Sequence, residues 1–485
     1  MRFAMMMTIG VLTGSAHAQP SAAGPGRPGR VLAPLQMSNT AAASAGLGDQ
    51  LFKLLANDGA AGDWFGYSVA ISGATALVGA HMDDDNGTDS GAAYLFNTTT
   101  GLQIFKFLPN DGALGDQFGL SVAISGAIAI VGAYFDDDNG TASGSAYLFD
   151  AEIAAGGSQI VKLLPDDGAA SDRFGRSVAI DGATAIVGAY LDNDNGSASG
   201  SAYLFDISDP ASPIQIAKLL PDDGAVQDYF GVSVAISGTT AVVGAYQNDD
   251  NGSNSGSAYL FDTTSGRQIA KLLPDDGAAA DRFGWSVTIS GAIAIVGAWQ
   301  DDDNGFNSGS AYVFDATTGR QIAKLLPNDG ALNDQFGWSV AISGSTAIVA
   351  AVWDNDNGNS SGSAYHFDIS DPANPVQIAK LLPDDGAACG QFGWSVAVSG
   401  ATAIVGALWD DDHGPDSGSA YLFDATALGK CPWDLDDNGS VGAADLLGLL
   451  VSWGPCKGCA ADFDDDDIVG ASDLLAMLFN WGPCP

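Results

Sequence analysis

The sequence predicts an all-β fold: a seven-bladed propeller of four-stranded blades, followed by a small α-helical module made of two similar halves. Three observations carry this. A unit of 53–56 residues recurs seven times. Each unit holds four short β patterns, the signature of a propeller blade. The first recognisable pattern is the fourth of a unit, and the last unit stops after its third.

Taken in order, residues 1–18 read as a secretory signal: Arg2 gives the positive end, an apolar stretch follows, and Ala16-His17-Ala18 is a small-residue cleavage site. The stretch is too short to span a bilayer, and no later segment is long and apolar enough. The expectation is a soluble chain, secreted or at the cell surface, with no membrane span. Residues 19–48, rich in Gly, Pro, Ala and Ser, read as a flexible leader.

Residues 49–429 are the propeller. Phe-Gly pairs begin at Phe65, Phe118, Phe174, Phe230, Phe283, Phe336 and Phe392, at spacings of 53, 56, 56, 53, 53 and 56 residues. The longer units add residues in one loop, as in Asp206–Gln215 against Asp262–Gln268. A fixed strand framework tolerates such a change. In the third unit the β patterns are Ser177–Ile180, Thr184–Ala189, Gly200–Asp206 and Gln215–Leu220, rich in β-branched, aromatic and small residues and bounded by Gly, Asp or Asn. An open solenoid would need capping units. Instead Gln50–Leu55 repeats the fourth strand and can complete the blade that ends at Gly418–Asp424, closing the ring.

The net charge of −41 excludes a nucleic-acid partner, which needs a basic surface, and argues against anionic membranes. Glu152 is the only Glu, so the acid is Asp, the residue of turns and cation loops. Because strands alternate in direction, the loops joining strand four to the next strand one and strand two to strand three emerge on the same face. Both are acidic: Asp166, Asp167 and Asp172, then Asp192 and Asp194 in the third unit. Two readings stand: turn chemistry, or bound divalent cations offsetting the repulsion. Each fourth strand carries one Lys: Lys53, Lys106, Lys162, Lys218, Lys271, Lys324 and Lys380. We expect these to blunt an exposed blade edge; a basic ring for an anionic ligand is the alternative.

The residue after each Phe-Gly pair varies: Tyr67, Leu120, Arg176, Val232, Trp285, Trp338 and Trp394. So does the residue after the Gly-Ala pair that ends strand two, from His81 and Tyr134 to Trp299 and Leu408. Trp285, Trp338 and Trp394 are candidates for stacking on a sugar or anchoring a protein, and blade packing is the competing explanation.

These units resemble the FG-GAP repeat family, the propellers of integrin α-subunit heads and many bacterial surface proteins. The seven Phe-Gly pairs and Gly-Ala pairs such as Gly132-Ala133 carry the likeness, which covers residues 50–424. It implies a seven-bladed propeller used in binding and adhesion. Integrin-like repeats hold calcium between strands one and two. Here that link is a tight turn, Ser125-Gly126-Ala127, and the acidic run Asp136-Asp137-Asp138-Asn139-Gly140 falls between strands two and three, so those calcium sites do not carry over.

Residues 430–485 are a tandem pair, 431–456 and 459–484. The first half places Asp434, Asp436, Asn438, Ser440 and Asp445 at positions 1, 3, 5, 7 and 12 of an EF-hand-type loop, with Gly439 at 6 and a helix over Ala444–Trp453. Calcium wants several hard oxygens from one short loop with a Gly for the sharp turn. The second half offers Asp462, Asp464, Asp466, Ile468 and Asp473, but Asp467 replaces the Gly. The pair resembles dockerin modules, tandem calcium loop–helix units that dock onto cohesin partners. The resemblance implies a cohesin-like docking partner; positions 10 and 11 depart from the hydroxyl pair of well-known dockerins and are Ala443-Ala444 and Ala471-Ser472. Cys431–Cys456 and Cys459–Cys484 share one spacing, so one disulfide per half is the simplest pairing; a four-thiolate zinc site is the alternative. Cys389 is left over.

Only His81, His366 and His413 remain after the signal, none at a repeated position, and no nucleophile–base motif occurs. The expected function is a secreted binding or adhesion protein with no catalytic residues, taking an extracellular protein or glycan on its acidic face and Ca2+ in its C-terminal docking module. The alternative is a polysaccharide-degrading enzyme built on an Asp pair.

Overall fold

The computed structural model describes residues 48–152, 156–426, 440–455, 461, 463, 468–479 and 482–483. The first span of repeats forms seven four-stranded antiparallel sheets. In the first blade the strands are Ser68–Ser72, Thr75–Ala80, Ala92–Asn97 and Gln103–Phe107, paired in chain order. The last blade borrows its outer strand from the start of the propeller: Gln50–Leu54 pairs antiparallel with Ser419–Asp424. The ring therefore closes as the chain ends predict, without a capping unit.

The third unit shows where strand boundaries shift. Its strands are Phe174–Asp181, Thr184–Ala189, Ser201–Asp206 and Ile214–Leu219. The first is longer than Ser177–Ile180 because a bulge between Phe174 and Ser177 lets the Phe pair with Ala189. Gly200 leaves the strand and bridges to Phe230 of the next blade.

Burial explains the patterns. The two middle strands, such as TAIVGA and SAYLFD, are covered on both faces and read as continuous apolar runs. The core lies in seams between blades. One seam joins Ile130, Leu148 and Leu163 of the second blade to Phe174, Val178 and Val187 of the third. Each Phe of a Phe-Gly pair is almost fully buried and meets the Tyr and Phe of its blade's third strand edge to face, as Phe65 does with Tyr94 and Phe96 at centroid distances of 5.5 and 5.7 Å.

Two glycines per seam are there because backbone passes where a side chain would be. Gly91 bridges to Phe118 of the next blade, and a Cβ on it would lie 1.9 Å from the Phe118 carbonyl oxygen. Gly119 has φ +91°, and its Cβ would lie 2.2 Å from the Ala92 oxygen. Ala350, which replaces the Gly of the Gly-Ala pair, stands at a looser seam, where the equivalent approach of Gly393 to Ser363 is 2.6 Å.

The C-terminal segment carries two nine-residue helices, α1 (Ala443–Val451) and α2 (Ala471–Phe479). The first begins one residue before and stops two residues short of the expected helix, Ala444–Trp453. The halves interlock: Ser440–Val441 pairs with Gly482–Pro483, and Gly454–Pro455 pairs with Ile468–Val469. Val441, Leu449, Val469 and Met477 share one small core. No helix among the described residues is long and apolar enough to cross a membrane.

Candidate functional site

The acidic face is organised by the lysines. Lys380 lies on the outer strand of the sixth blade, directly opposite Tyr365. Strand register therefore puts its side chain beside that buried ring, with Nζ 5.1 Å from the ring centroid. From there the ammonium reaches carboxylate oxygens of Asp329, Asp354 and Asp356 at 2.7, 2.8 and 2.6 Å. Asp329 comes from the loop entering the blade, and the other two from the loop between strands two and three. These oxygens lie within 4.8 Å of one another. Six blades repeat this three-carboxylate cluster. In the fourth, Asn248 replaces one acid and Lys271 keeps Asp223 and Asp250.

The expected edge-blunting role of these lysines is thus corrected. Their side chains are 13–16% exposed and their ammonium groups are ion-paired. A ring of free ammonium groups for an anionic ligand is overturned for the same reason. The cluster also accounts for three acids in one loop from within the chain. In the loop starting at Asp83, the first acid accepts the Tyr94 hydroxyl at 2.7 Å and pairs with Lys106. The third, Asp85, pairs with Lys106 at 2.6 Å. The second, Asp84, accepts the Asp89 amide at 2.9 Å and closes the turn.

A second acid is buried near the cluster in six blades: Asp63, Asp116, Asp172, Asp228, Asp281 and Asp334. Each accepts a backbone N–H three residues earlier, as Asp116 does from Ala113 at 2.7 Å. Burial, with the negative charge of Asp136 adding, pushes Asp116 up to about 6 in spite of that amide. The seventh blade has Gly390 at this place.

The variable residues after the Phe-Gly pairs line the mouth of the central channel. Tyr67, Leu120, Arg176, Val232, Trp285, Trp338 and Trp394 form its first ring, above a ring of serines and then valines, around a cavity of ≈ 230 Å³. The mouth opens on the acidic side, because strand one starts there. Blades place the aromatics in contact: Trp285–Trp338 centroids are 5.0 Å apart, Trp338–Trp394 4.9 Å and Trp394–Tyr67 5.5 Å. All four remain partly exposed. They form a continuous aromatic arc on one side of the mouth. Behind the first ring stand the residues that follow the Gly-Ala pairs, including Trp299, 5.4 Å from Trp338. His81, 4.2 Å from Tyr67, belongs to that second ring. Burial, with the charge of Arg176 adding, pushes His81 down to about 3.

Among the described residues, Arg176 is the only charged side chain lining the channel. Its guanidinium lies 5.9 Å from the Tyr190 ring. No ion pair of Arg176 is found among the described residues.

The predicted ligand set Trp285, Trp338 and Trp394 is therefore brought together, whereas Tyr67 and Arg176 join the same wall and were not singled out. Variation at that repeat position is the signal that marks all five. In the C-terminal module, Asp445 and Asp473 are fully buried, and each accepts the N–H of a Gly three residues earlier at 2.7 Å. Asp473 also accepts the Phe463 amide at 2.6 Å. Ser440 and Ile468 sit in the two short ladders. Asp434, Asp436, Asn438, Asp462, Asp464 and Asp466 lie outside the described residues, as do Cys431, Cys456, Cys459 and Cys484. Cys389 is exposed and unpaired.

The fold and its seams define a closed seven-bladed β-propeller whose sheets repeat one Phe-Gly, Gly-Ala motif. The chain belongs to the FG-GAP repeat family: the family model matches residues 49–96, 102–149, 158–205, 214–261, 267–314, 320–367 and 375–423. No curated protein matches the chain.

Proposed function

We propose that the chain is a secreted or cell-surface binding protein whose propeller takes an extracellular ligand at the channel mouth. One observation carries the reading. The position after Phe-Gly holds Trp285, Trp338, Trp394 and Tyr67 each in contact with the next and partly open to solvent at a concave site. Rigid aromatic surface at low entropic cost is what binding sites for sugars and protein anchors use. The monotony of the repeat elsewhere makes the contrast sharper. Each lysine already ties together the carboxylates of its cluster, so the reading does not call on calcium in the propeller loops, although one ammonium against three carboxylates leaves the face net negative.

The C-terminal module is proposed as a calcium-dependent docking unit. Its support is the tandem loop pattern, together with Asp445 and Asp473 closing each loop onto its own backbone. A polysaccharide-degrading role would need a pair of carboxylates at a ligand cleft, and the channel wall carries none.

The test is a glycan and peptide array probed with the wild type and with Trp338→Ala and Trp394→Ala, in calcium and in EDTA. Binding that survives EDTA and falls about tenfold in both variants, with melting unchanged, supports the mouth as the site. Binding indifferent to both substitutions would move the site elsewhere.

A further inference from the structure

Resting on that reading, we propose that the channel mouth recognises a single carboxylated sugar at the end of an otherwise neutral saccharide chain, with Arg176 taking the carboxylate and the aromatic arc taking the ring. The geometry supplies both halves. Every Lys of the propeller is held by carboxylates of its own blade, so none is available to a ligand. Arg176 is different. It is the one charge on the channel wall, it stands in the first ring with the Trp residues, and it has no ion-pair partner among the described residues. A guanidinium with its fork free is suited to bidentate binding of a carboxylate.

The surroundings narrow the ligand. A cavity of ≈ 230 Å³ lies below the ~300–1,000 Å³ of drug-sized pockets, so it admits one ring or a chain end, not a chain in passage. The same face carries the acidic loops of every blade, and a polyanion would be repelled as its further charges approached. One negative charge, delivered to Arg176 on the channel wall and followed by neutral residues, meets attraction with far less of that repulsion. Trp338 and Trp394, with centroids 4.9 Å apart, give the ring an apolar wall.

The experiment compares four probes by calorimetry: a neutral oligosaccharide ending in one glucuronic acid residue, the same chain ending in glucose, polygalacturonate, and a peptide with a free C-terminal carboxylate. The wild type should bind the glucuronate-ended chain about 10–100-fold more tightly than its neutral twin. Arg176→Gln should erase that preference while leaving the neutral chain's affinity little changed. Arg176→Lys should restore only part, since a point charge lacks the fork. Trp338→Ala should weaken both chains. Equal affinity for the charged and neutral chains, preference for polygalacturonate, or tightest binding of the peptide would overturn the inference while leaving the mouth as the binding site, provided Trp338→Ala still weakens what binds. If no probe binds in a Trp338-dependent way, the inference and the proposed site fall together. A melting temperature equal to wild type in Arg176→Gln confirms that the variant is folded.

Discussion

Replacing Lys380 by Met keeps the aliphatic stem over Tyr365 and removes only the charge. Three carboxylates, at 2.7, 2.8 and 2.6 Å from Nζ in the wild type, are then left facing one another. Asp354 is buried, and removing the partner of a buried charge costs about 3–5 kcal/mol. Asp329 and Asp356 are half exposed and can turn to water, so the lower end, about 3 kcal/mol, is expected. With unfolding entropy of ~2.1 cal/mol/K per residue, a propeller of roughly 375 residues has ~0.8 kcal/mol/K, so Tm should fall by about 4 °C. Lys271→Met leaves two acids instead of three and should cost less.

The pH window follows from the shifts. Burial opposes ionisation of Asp329, but the hydrogen bond and charge of Lys380 outweigh it and hold the carboxyl below its usual 3.8. That contribution is present above 3.8 and is lost as pH falls through the lowered value. Lys380 itself is desolvated, yet its three carboxylates raise it above 10.5, so its contribution is present below 10.5 and is lost at higher pH. The Lys380→Met deficit should therefore stay level between pH 4 and 9 and shrink only as pH falls below 3.8. Calorimetric melting of both variants from pH 9 down to pH 2 checks this. An unchanged Tm in Lys380→Met, or an equal loss in Lys271→Met, would refute the reasoning.

The buried acids set a second pH dependence. Asp63, Asp116, Asp172, Asp281 and Asp334 are each raised to about 6, chiefly by burial, and Asp228 is raised too. A raised carboxyl gives stability that is full below 3.8 and lost as pH rises through about 6. His81 and His366 oppose this below pH 6.5, because burial lowers both. Six groups against two predict that Tm rises between pH 7.5 and 5, with a smaller rise in Asp116→Asn; a falling Tm would contradict it. His366 stands fully buried, with neither ring nitrogen partnered among the described residues, where other blades place Leu or Val. His366→Leu should stabilise by about 1–2 kcal/mol in thermal melting, since an unsatisfied buried polar group costs that much. In the C-terminal module, Asp436→Ala should cost more calcium affinity by calorimetry than Asp464→Ala, because Gly439 permits the turn that Asp467 strains to make.

Blade number, strand content and ring closure were legible because each is written in the repeat: Phe-Gly marks the seam, and Gln50–Leu54 matches the strand missing after Asp424. The channel mouth was half legible. Variation pointed to Trp285, Trp338 and Trp394, but their contacts join residues one whole repeat apart, which no local pattern shows. Arg176 was seen to vary in the same column but was given no role, because only the aromatic members suggested a ligand. The role of the lysines was misread because a polar residue on an outer strand suggests a solvent-facing edge. The register that pairs Lys380 with Tyr365, a fully buried ring, shows otherwise. Its partner Asp329 is 51 residues away. The tandem loops of the C-terminal module were read from spacing alone; the interlocked ladders between its halves left no trace in that spacing.

The most direct test of the account is hydrogen–deuterium exchange of the whole chain with and without the glucuronate-ended oligosaccharide, in EDTA. Protection should be confined to the starts of the inner strands around the channel, chiefly residues 64–68, 174–177, 283–286, 336–339 and 392–395. Protection on the outer strands, on the Arg267 and Arg320 loops of the opposite face, or only in residues 440–483 would contradict it.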